Sequence, residues 1–157
     1  MKSIKKYETI INEALRSALE YDTPEGQINE FISFFGKHIG SDRIYIFEDD
    51  EEHHVTNNTY EWCTEGITPQ IEHLQGVNME VIDWWYDTFD EGKSVIISDV
   101  EELKGVHQVS YNMLKYQNVR KVVVSPLRHK GQIKGFFGVD NPPAVDYSAL
   151  TMFLDMI

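Results

Sequence analysis

The sequence predicts an α+β domain built on one antiparallel sheet, with helices before, between and after the strands. Two observations lead to this class. Segments with strand composition occur in neighbouring pairs joined by short polar or glycine-containing turns, which is typical of antiparallel hairpins. Segments whose apolar residues recur at helical spacing separate these pairs. At 157 residues the chain is long enough for one domain with a substantial core.

The first 40 residues predict two helices. Apolar residues within positions 1–22 recur at alternating steps of three and four, which is a short heptad pattern. This pattern favours either a helix packed on its own domain or a seam between two copies of the chain. A second helix is predicted to begin after the N-cap Thr23, with Pro24 in its first turn. It should end at Gly40, because glycine favours the conformation that follows a helix C-terminus.

The middle of the chain predicts a hairpin followed by alternating helices and strands. Strands at 43–47 and 55–63 enclose an acidic turn. A helix at 79–90, a short strand at 95–97 and a helix at 107–117 follow. The apolar residues of the helix predicted at 107–117, together with the residue before it, lie on one side, namely Val106, Val109, Met113 and Tyr116.

Residues 119–143 predict a second hairpin, with its turn at 129–132. The three consecutive valines at 122–124 are typical of a strand that is covered on both faces. In the return strand, Gly135 and Gly138 stand on either side of two phenylalanines. Glycines inside a strand indicate a bulge or a place where another backbone or a ligand comes close.

A last helix is predicted at 145–157, and its apolar side still continues at the final residue. Helices normally end with capping residues. We therefore expect a single domain, residues 1–157, in which residues 144–157 begin a helix that connects it to a further part of a longer protein.

Composition and charge narrow the possible functions. The formal net charge is −12, so the chain lacks the basic face that nucleic acids and anionic membranes require. The N-terminal segment carries charges throughout, which fits neither a signal peptide nor a membrane span. With one cysteine, the chain has no internal disulfide. We expect a cytoplasmic protein with neither a nucleic-acid nor a membrane partner.

Sequence patterns for catalysis or metal binding are absent. The six histidines and one cysteine show no H-x-x-x-H, C-x-x-C or mixed spacing that would hold a metal. No phosphate-binding loop or nucleophile motif is found. We predict no metal, no cofactor and no enzymatic activity for this domain. Cys63 is predicted to be inert packing, with a thiol nucleophile, a redox sensor or a bilin attachment point as alternatives.

Several segments resemble one family of sensor modules. The final hairpin, SPLRHKGQIKGFFGVDNP, closely resembles the last two strands of GAF domains, which occur in signalling proteins. DRIYIFE and TYEWCTEGITP resemble the first two strands of that family, and MEVIDWWYDTFDEGKSVIISDVEEL resembles its middle. Together these segments are most similar to GAF domains fused to bacterial diguanylate cyclase (GGDEF) domains. The resemblance implies a GAF-like antiparallel sheet flanked by helices, with a ligand pocket over one face.

The resemblance points to aromatic residues, with a few polar neighbours, as the lining of this pocket. Trp84 and Trp85 are adjacent on a predicted helix, so they point about 100° apart and one of them should leave the core. The alternative is that the aromatic cluster is ordinary core. The predicted ligand-binding residues are Tyr60, Trp62, Trp84, Trp85, Phe89, Asp99, Tyr111 and Ser125.

The predicted function is that of a regulatory domain that senses a small molecule. The tryptophans favour a purine-like or aromatic ligand, although no residue identifies it. We expect a homodimer formed through the first and last helices, and an output domain after Ile157, with a diguanylate cyclase as the expected output. The alternative is a structural dimerisation module whose own side chains fill the pocket.

Overall fold

The computed structural model describes residues 2–143, and in this range six antiparallel strands form one sheet with helices on both faces. The helices are α1 (Lys2–Ala18), α2 (Pro24–Ile39), α3 (Asp83–Asp90) and α4 (Gln108–Tyr116). The strands are β1 (Arg43–Asp50), β2 (Val55–Cys63), β3 (Val77–Asn78), β4 (Val95–Ile97), β5 (Val122–His129) and β6 (Gln132–Asp140). Short 3-10 helices occupy Ile71–His73, Met79–Ile82 and Val100–Leu103. The predicted α+β class is confirmed.

The strand order across the sheet is β3-β2-β1-β6-β5-β4. The first strand and the last strand of the described residues are therefore neighbours at the centre. In their antiparallel register, Arg43 at the start of β1 lies opposite Asp140 at the end of β6. The sheet thus brings two charged residues from distant parts of the sequence into one place.

One face of the sheet is covered by α1 and α2. Four heptad residues of α1 point inward, so the chain itself covers them, and the structure supports the interpretation of α1 as a helix packed on its own domain. Leu15 of α1 and Leu19, just after it, are 50% and 77% exposed. The buried residues of α1 are Tyr7, Ile11, Ala14 and Ala18.

Helix α2 begins and ends where its capping residues predict. The Thr23 hydroxyl accepts a hydrogen bond from the backbone N–H of Gly26, at 3.0 Å. Gly40 follows the helix with φ of +77°, the left-handed conformation that glycine adopts without strain.

Gly36 allows α2 to approach β2 closely. A Cβ atom at this position would lie 2.4 Å from the ring of Trp62 and 2.7 Å from the Ile44 side chain. Alanine favours a helix over glycine by about 1 kcal/mol, but the Gly36→Ala variant is expected to be less stable than the wild type because this overlap costs about 1–3 kcal/mol. Urea denaturation would measure the loss. In a Trp62→Leu background the same substitution should cost less, and an equal cost there would contradict this packing explanation.

The opposite face of the sheet is covered by α3, α4 and the connections around them. Trp85 and Phe89 of α3 are buried with Phe136 of β6 in a hydrophobic cluster on this face, separate from the cluster under α1 and α2. Val122 and Val124 also face this cluster, whereas Val123 faces the cluster under α1 and α2. The prediction that this valine segment is covered on both faces is confirmed.

The glycines of β6 lie where other groups come close. A Cβ atom at Gly138 would lie 2.1 Å from the ring of Tyr45, and one at Gly135 would overlap the backbone carbonyl oxygen of Phe47. The register of β5 and β6 also shifts opposite Gly135, between Leu127 and Arg128. The prediction of a bulge or a close backbone is confirmed for Gly135, whereas the group that approaches Gly138 is a side chain.

Other expectations differ from the structure. The residues 48–50 extend β1 instead of forming a turn, and the helix predicted at 79–90 begins with a 3-10 turn before α3. Of the residues predicted to share one side of α4, Met113 is half-buried and packs against the hydrophobic cluster beneath α3 and α4. Val109 and Tyr116 are 60% and 85% exposed, as is Val106 before the helix, at 71%, and the residues that α4 buries are Ser110 and Leu114. The helix predicted at 145–157 lies outside the described residues.

Within residues 2–143, no helix has both the length and the apolar character of a membrane span.

Candidate functional site

A small cavity lies between the sheet and the α3–α4 layer. Its volume is about 30 Å³, which is room for about one water molecule. The apolar part of the lining comes from both layers and includes Trp85 and Phe136. The polar part comes from β1, β2 and the end of α4, namely Arg43, Asn58, Glu61 and Gln117. We call this space the inner cavity.

A buried hydrogen-bond donor of a residue that lines the inner cavity lacks an acceptor. The indole Nε1 of Trp85 has no hydrogen-bond partner among the described residues, whereas the guanidinium Nε of Arg43, which also makes no hydrogen bond there, is ion-paired with Glu61 Oε2 at 3.5 Å. Both residues are only 3% exposed. Since a buried donor without a partner costs about 1–3 kcal/mol, the inner cavity favours an occupant that carries an acceptor.

Arg43 is the centre of a buried charge cluster. Its Nη1 donates to Asp140 Oδ2 at 2.7 Å, and its Nη2 donates to the carbonyl oxygen of Thr68 at 2.9 Å. Its Nε lies 3.5 Å from Glu61 Oε2. Burial raises the pKa of Asp140 to about 6, although the neighbouring guanidinium of Arg43 favours the ionised carboxylate.

A second, larger cavity adjoins the other side of this cluster. It has a volume of about 270 Å³, is partly open to solvent, and shares Arg43 and Gln117 with the inner cavity. We call this space the outer cavity. Its other lining residues come from the 42–43 and 66–70 segments, the end of α4 and the end of β6, and include Asp42, Thr68, Tyr116, Asn118 and Asp140.

The α3 residues of the predicted ligand site occupy different environments. Trp85 lines the inner cavity, and Phe89 is fully buried in the same cluster. Trp84 is half-buried; its ring stacks on His107 at 4.2 Å between ring centres, and its Nε1 donates to Ser110 Oγ at 3.0 Å. The two adjacent tryptophans therefore differ in burial, and Trp84 packs against the cluster that contains Trp85.

The other five predicted site residues lie away from the inner cavity. Tyr60 and Trp62 pack against the cluster under α1 and α2, on the opposite face of the sheet. Ser125 follows Val123 on that same face of β5, and its hydroxyl lies 2.7 Å from that of Ser94. Asp99 is exposed and accepts a hydrogen bond from the Glu101 N–H. Tyr111 is half-buried against the hydrophobic cluster beneath α3 and α4, does not line the inner cavity, and donates its hydroxyl to Glu101.

The sequence interpretation missed the polar residues of the two cavities. One signal for Arg43 was available, because alternation along β1 places it on the same face as Tyr45 and Phe47. A charged residue in register with two aromatic ones indicates a buried charge that needs a partner. The partner, Asp140, is 97 residues away, and no local pattern connects the two.

Cys63 and the histidines show no sign of reactive or metal chemistry in the described part of the chain. Burial and the nearby carboxylate of Glu61 raise the pKa of the Cys63 thiol, which lowers its reactivity. Cys63 lines neither the inner nor the outer cavity. Within residues 2–143, no group of three or more histidine, cysteine or carboxylate side chains is placed to hold a metal ion.

Comparison with known proteins finds similarity in structure alone. No protein-family model and no curated protein sequence matches this chain. The phycocyanobilin-bound GAF domain of a cyanobacterial phytochrome has a TM-score of 0.74 at 17% identity, with 95% of this chain and 90% of that chain covered. The GAF domain of a phosphoenolpyruvate-protein phosphotransferase from Coxiella burnetii has a TM-score of 0.72 at 9% identity, covering 98% and 89%.

A free methionine-R-sulfoxide reductase from Neisseria meningitidis, solved with its substrate, is also similar in structure. Its TM-score is 0.69 at 11% identity, and the match covers 98% of this chain and 84% of the reductase. Identities this low describe the fold and leave the ligand open. From its sheet order, its two helical layers and these similarities, the chain has the fold of GAF domains.

Proposed function

We propose that this chain is a regulatory GAF domain that senses a small molecule in the inner cavity and belongs to a cytoplasmic bacterial signalling protein. The observation that carries this proposal is a buried donor, Trp85 Nε1, on a residue that lines the inner cavity, because this donor has no acceptor within the described residues. A core built only for packing would avoid such a donor, because it costs stability. The ligand is therefore a molecule with a hydrogen-bond acceptor and an apolar or aromatic part.

The inner cavity must widen before it admits such a molecule. Ligand pockets commonly measure about 300–1,000 Å³, and the inner cavity is about ten times smaller than the lower of these values. Helix α4 is the natural element to move, since it lines the cavity with Leu114 while much of its own apolar surface is exposed. A ligand that binds the widened state more tightly would shift the population towards it.

The proposal also includes the output domain that ligand binding would control. We propose that widening changes how the domain, as a homodimer, controls a diguanylate cyclase that follows it. Two structurally similar proteins support ligand binding on this fold, since one is described with phycocyanobilin and another with its substrate. Covalent bilin attachment at Cys63 finds no support here, because this thiol lines neither cavity.

The test is a thermal-shift screen of nucleotides, aromatic metabolites and amino acids against wild type and the Trp85→Phe variant. This substitution keeps an aromatic ring and removes the indole N–H. Without ligand, the variant is expected to remain within about 1 kcal/mol of the wild type, because the lost N–H has no partner. A ligand that stabilises the wild type should bind the variant roughly tenfold more weakly, which corresponds to about 1.4 kcal/mol. Equal stabilisation of both proteins by the ligand would show that the Trp85 indole N–H does not bind it.

The alternative function is a structural dimerisation module with a self-filled pocket. The small volume of the inner cavity favours it, because the cluster's own side chains occupy most of the space. This alternative expects a dimer in sedimentation experiments and no thermal shift with any compound of the screen. A reproducible hit that Trp85→Phe weakens would decide against it.

A further inference from the structure

The buried charge cluster holds two carboxylates for one guanidinium. Within residues 5–143, Arg43 is the only lysine or arginine that is buried. Glu61 and Asp140 share it, and the side chains of Arg43, Glu61 and Asp140 are 4%, 4% and 2% exposed. Because a buried charge is costly unless it is paired, one guanidinium does not balance both carboxylates when both are ionised. One proton on either carboxylate makes the cluster neutral.

Asp140 is the carboxylate that accepts this proton more easily. Glu61 accepts hydrogen bonds from the backbone N–H groups of Gln70, at 2.9 Å, and Ile71, at 3.3 Å, and such donors favour an ionised carboxylate. Asp140 uses Oδ2 for Arg43, while its buried Oδ1 has no hydrogen-bond partner within the described residues. The ionised form is therefore less well supported at Asp140 than at Glu61.

Burial and the surrounding groups act on Asp140 in opposite directions. Burial has the largest effect and raises its pKa, the carboxylate of Asp42 acts in the same direction, and Arg43 and the Tyr45 hydroxyl favour the ionised form. The net result is a pKa of about 6. The titratable and charged groups around Asp140 come from β1, the residue before it, β2 and the end of α4, namely Asp42, Arg43, Tyr45, Glu61, Cys63 and Tyr116.

Arg43 is placed to respond to that proton. Its Nη1 lies 2.7 Å from Asp140 Oδ2, whereas its Nε lies 3.5 Å from Glu61 Oε2 and makes no hydrogen bond among the described residues. Neutralising Asp140 removes the nearer of the two negative charges that hold the guanidinium. A small movement towards Glu61 then gives Nε the acceptor that it lacks. The same three side chains thus have two arrangements that differ by one proton.

We propose that this cluster is a proton-sensitive switch, in which protonation of Asp140 turns the Arg43 guanidinium away from Asp140 and towards Glu61. The proton comes from the solvent, and no covalent bond other than the new O–H changes. Arg43 and Glu61 both line the inner cavity, and Arg43 Nη2 donates to the carbonyl oxygen of Thr68 at 2.9 Å. The switch therefore changes the polar side of the inner cavity and the attachment of the 68–71 segment. It needs no ligand, so it does not depend on the proposed function.

The experiment follows the wild-type protein by NMR from about pH 4.5 to about pH 8, with the carboxyl carbon of Asp140 and the Nε–H group of Arg43 as probes. We expect Asp140 to titrate with a midpoint of about 6. The Arg43 Nε–H proton signal should move downfield on acidification with the same midpoint, because its hydrogen bond to Glu61 forms. An Asp140 that stays ionised throughout the range, or an Arg43 signal that does not follow it, would overturn the proposal.

Two variants test the two carboxylates separately. Asp140→Asn carries no charge at any pH, so its Arg43 Nε–H signal should stay at the acid position of the wild type. Glu61→Gln leaves Arg43 to Asp140 alone, so the proton affinity of Asp140 should fall at least tenfold. Glu52→Gln, which removes one negative charge from an exposed turn, should titrate like the wild type. An unchanged Asp140 midpoint in Glu61→Gln would contradict the shared guanidinium on which the switch depends.

Stability provides a second readout, which separates Asp140 from the other titrating groups. Because the folded state binds this proton more tightly than the unfolded chain, the stabilisation is present below pH 6 and is lost as the pH rises through this value. Between about pH 7.5 and about pH 5.5, the folding equilibrium constant of the wild type should rise about fourfold relative to that of Asp140→Asn. A ratio of the two constants that does not change with pH would count against protonation of Asp140 in the folded state.

Discussion

The Arg43→Met variant is expected to lose about 3–5 kcal/mol of the free energy of unfolding, one of the two largest losses expected for this domain. Methionine fills a similar volume but leaves the carboxylates of Glu61 and Asp140 buried without their guanidinium. The loss should be seen as a lower midpoint in urea denaturation at neutral pH.

A triple variant separates charge from packing. Adding Glu61→Gln and Asp140→Asn to Arg43→Met removes all three charges while keeping similar shapes. Replacing a whole buried charge cluster by neutral groups is often nearly neutral for stability. The triple variant should therefore regain most of the loss, and a triple variant as unstable as Arg43→Met would show that the arginine contributes mainly through packing.

The Phe136→Ala variant is expected to lose a similar amount, about 3–5 kcal/mol. Phe136 is 2% exposed, and its ring stacks on Phe47 at 4.7 Å between ring centres and meets Trp85 edge-on at 5.5 Å. Removing the ring leaves a space that the rigid neighbours only partly close. Thermal or urea denaturation would measure the loss, with Phe136→Leu as the matched variant that should lose less.

The same variant also probes the inner cavity, because Phe136 lines it. The space left by the ring should join the inner cavity and make it large enough for a small apolar molecule. Benzene should then raise the melting temperature of Phe136→Ala and leave that of the wild type unchanged, as apolar cavities of sufficient size bind it. A benzene effect of the same size in both proteins would place its binding site elsewhere.

Elements specified by neighbouring residues were predicted well from the sequence. Helix α2 has the predicted limits because Thr23 and Gly40 act on the turns beside them. Strands β2 and β4 also match, since β-branched residues and polar turns mark their ends locally. The last hairpin turns at Lys130 and Gly131, which have φ of 53° and 80°, and glycine at the second position adopts such angles readily.

Features that depend on distant parts of the chain were not predicted. The apolar spacing of α4 predicts which residues share one side of the helix. Which side is buried depends on the neighbouring elements, and Ser110 is buried where its hydroxyl accepts a hydrogen bond from Trp84. In the same way, Tyr60 and Trp62 are aromatic, as pocket residues often are. Both side chains lie on the face of the sheet that α2 covers, and they pack there instead of lining the inner cavity. The role of the eight predicted residues in binding stays a prediction.

The central position of β1 and β6 also determines how the chain can fold. These two strands are the first and the last strand of the described residues, so the middle of the sheet depends on contacts such as that between Arg43 and Asp140. Contacts of such long range slow folding, because the intervening loop must close first. During synthesis, α1, α2 and the β1–β2 hairpin leave the ribosome well before β6. Until residue 140 has emerged, β1 presents an open edge to other chains, and such edges promote aggregation.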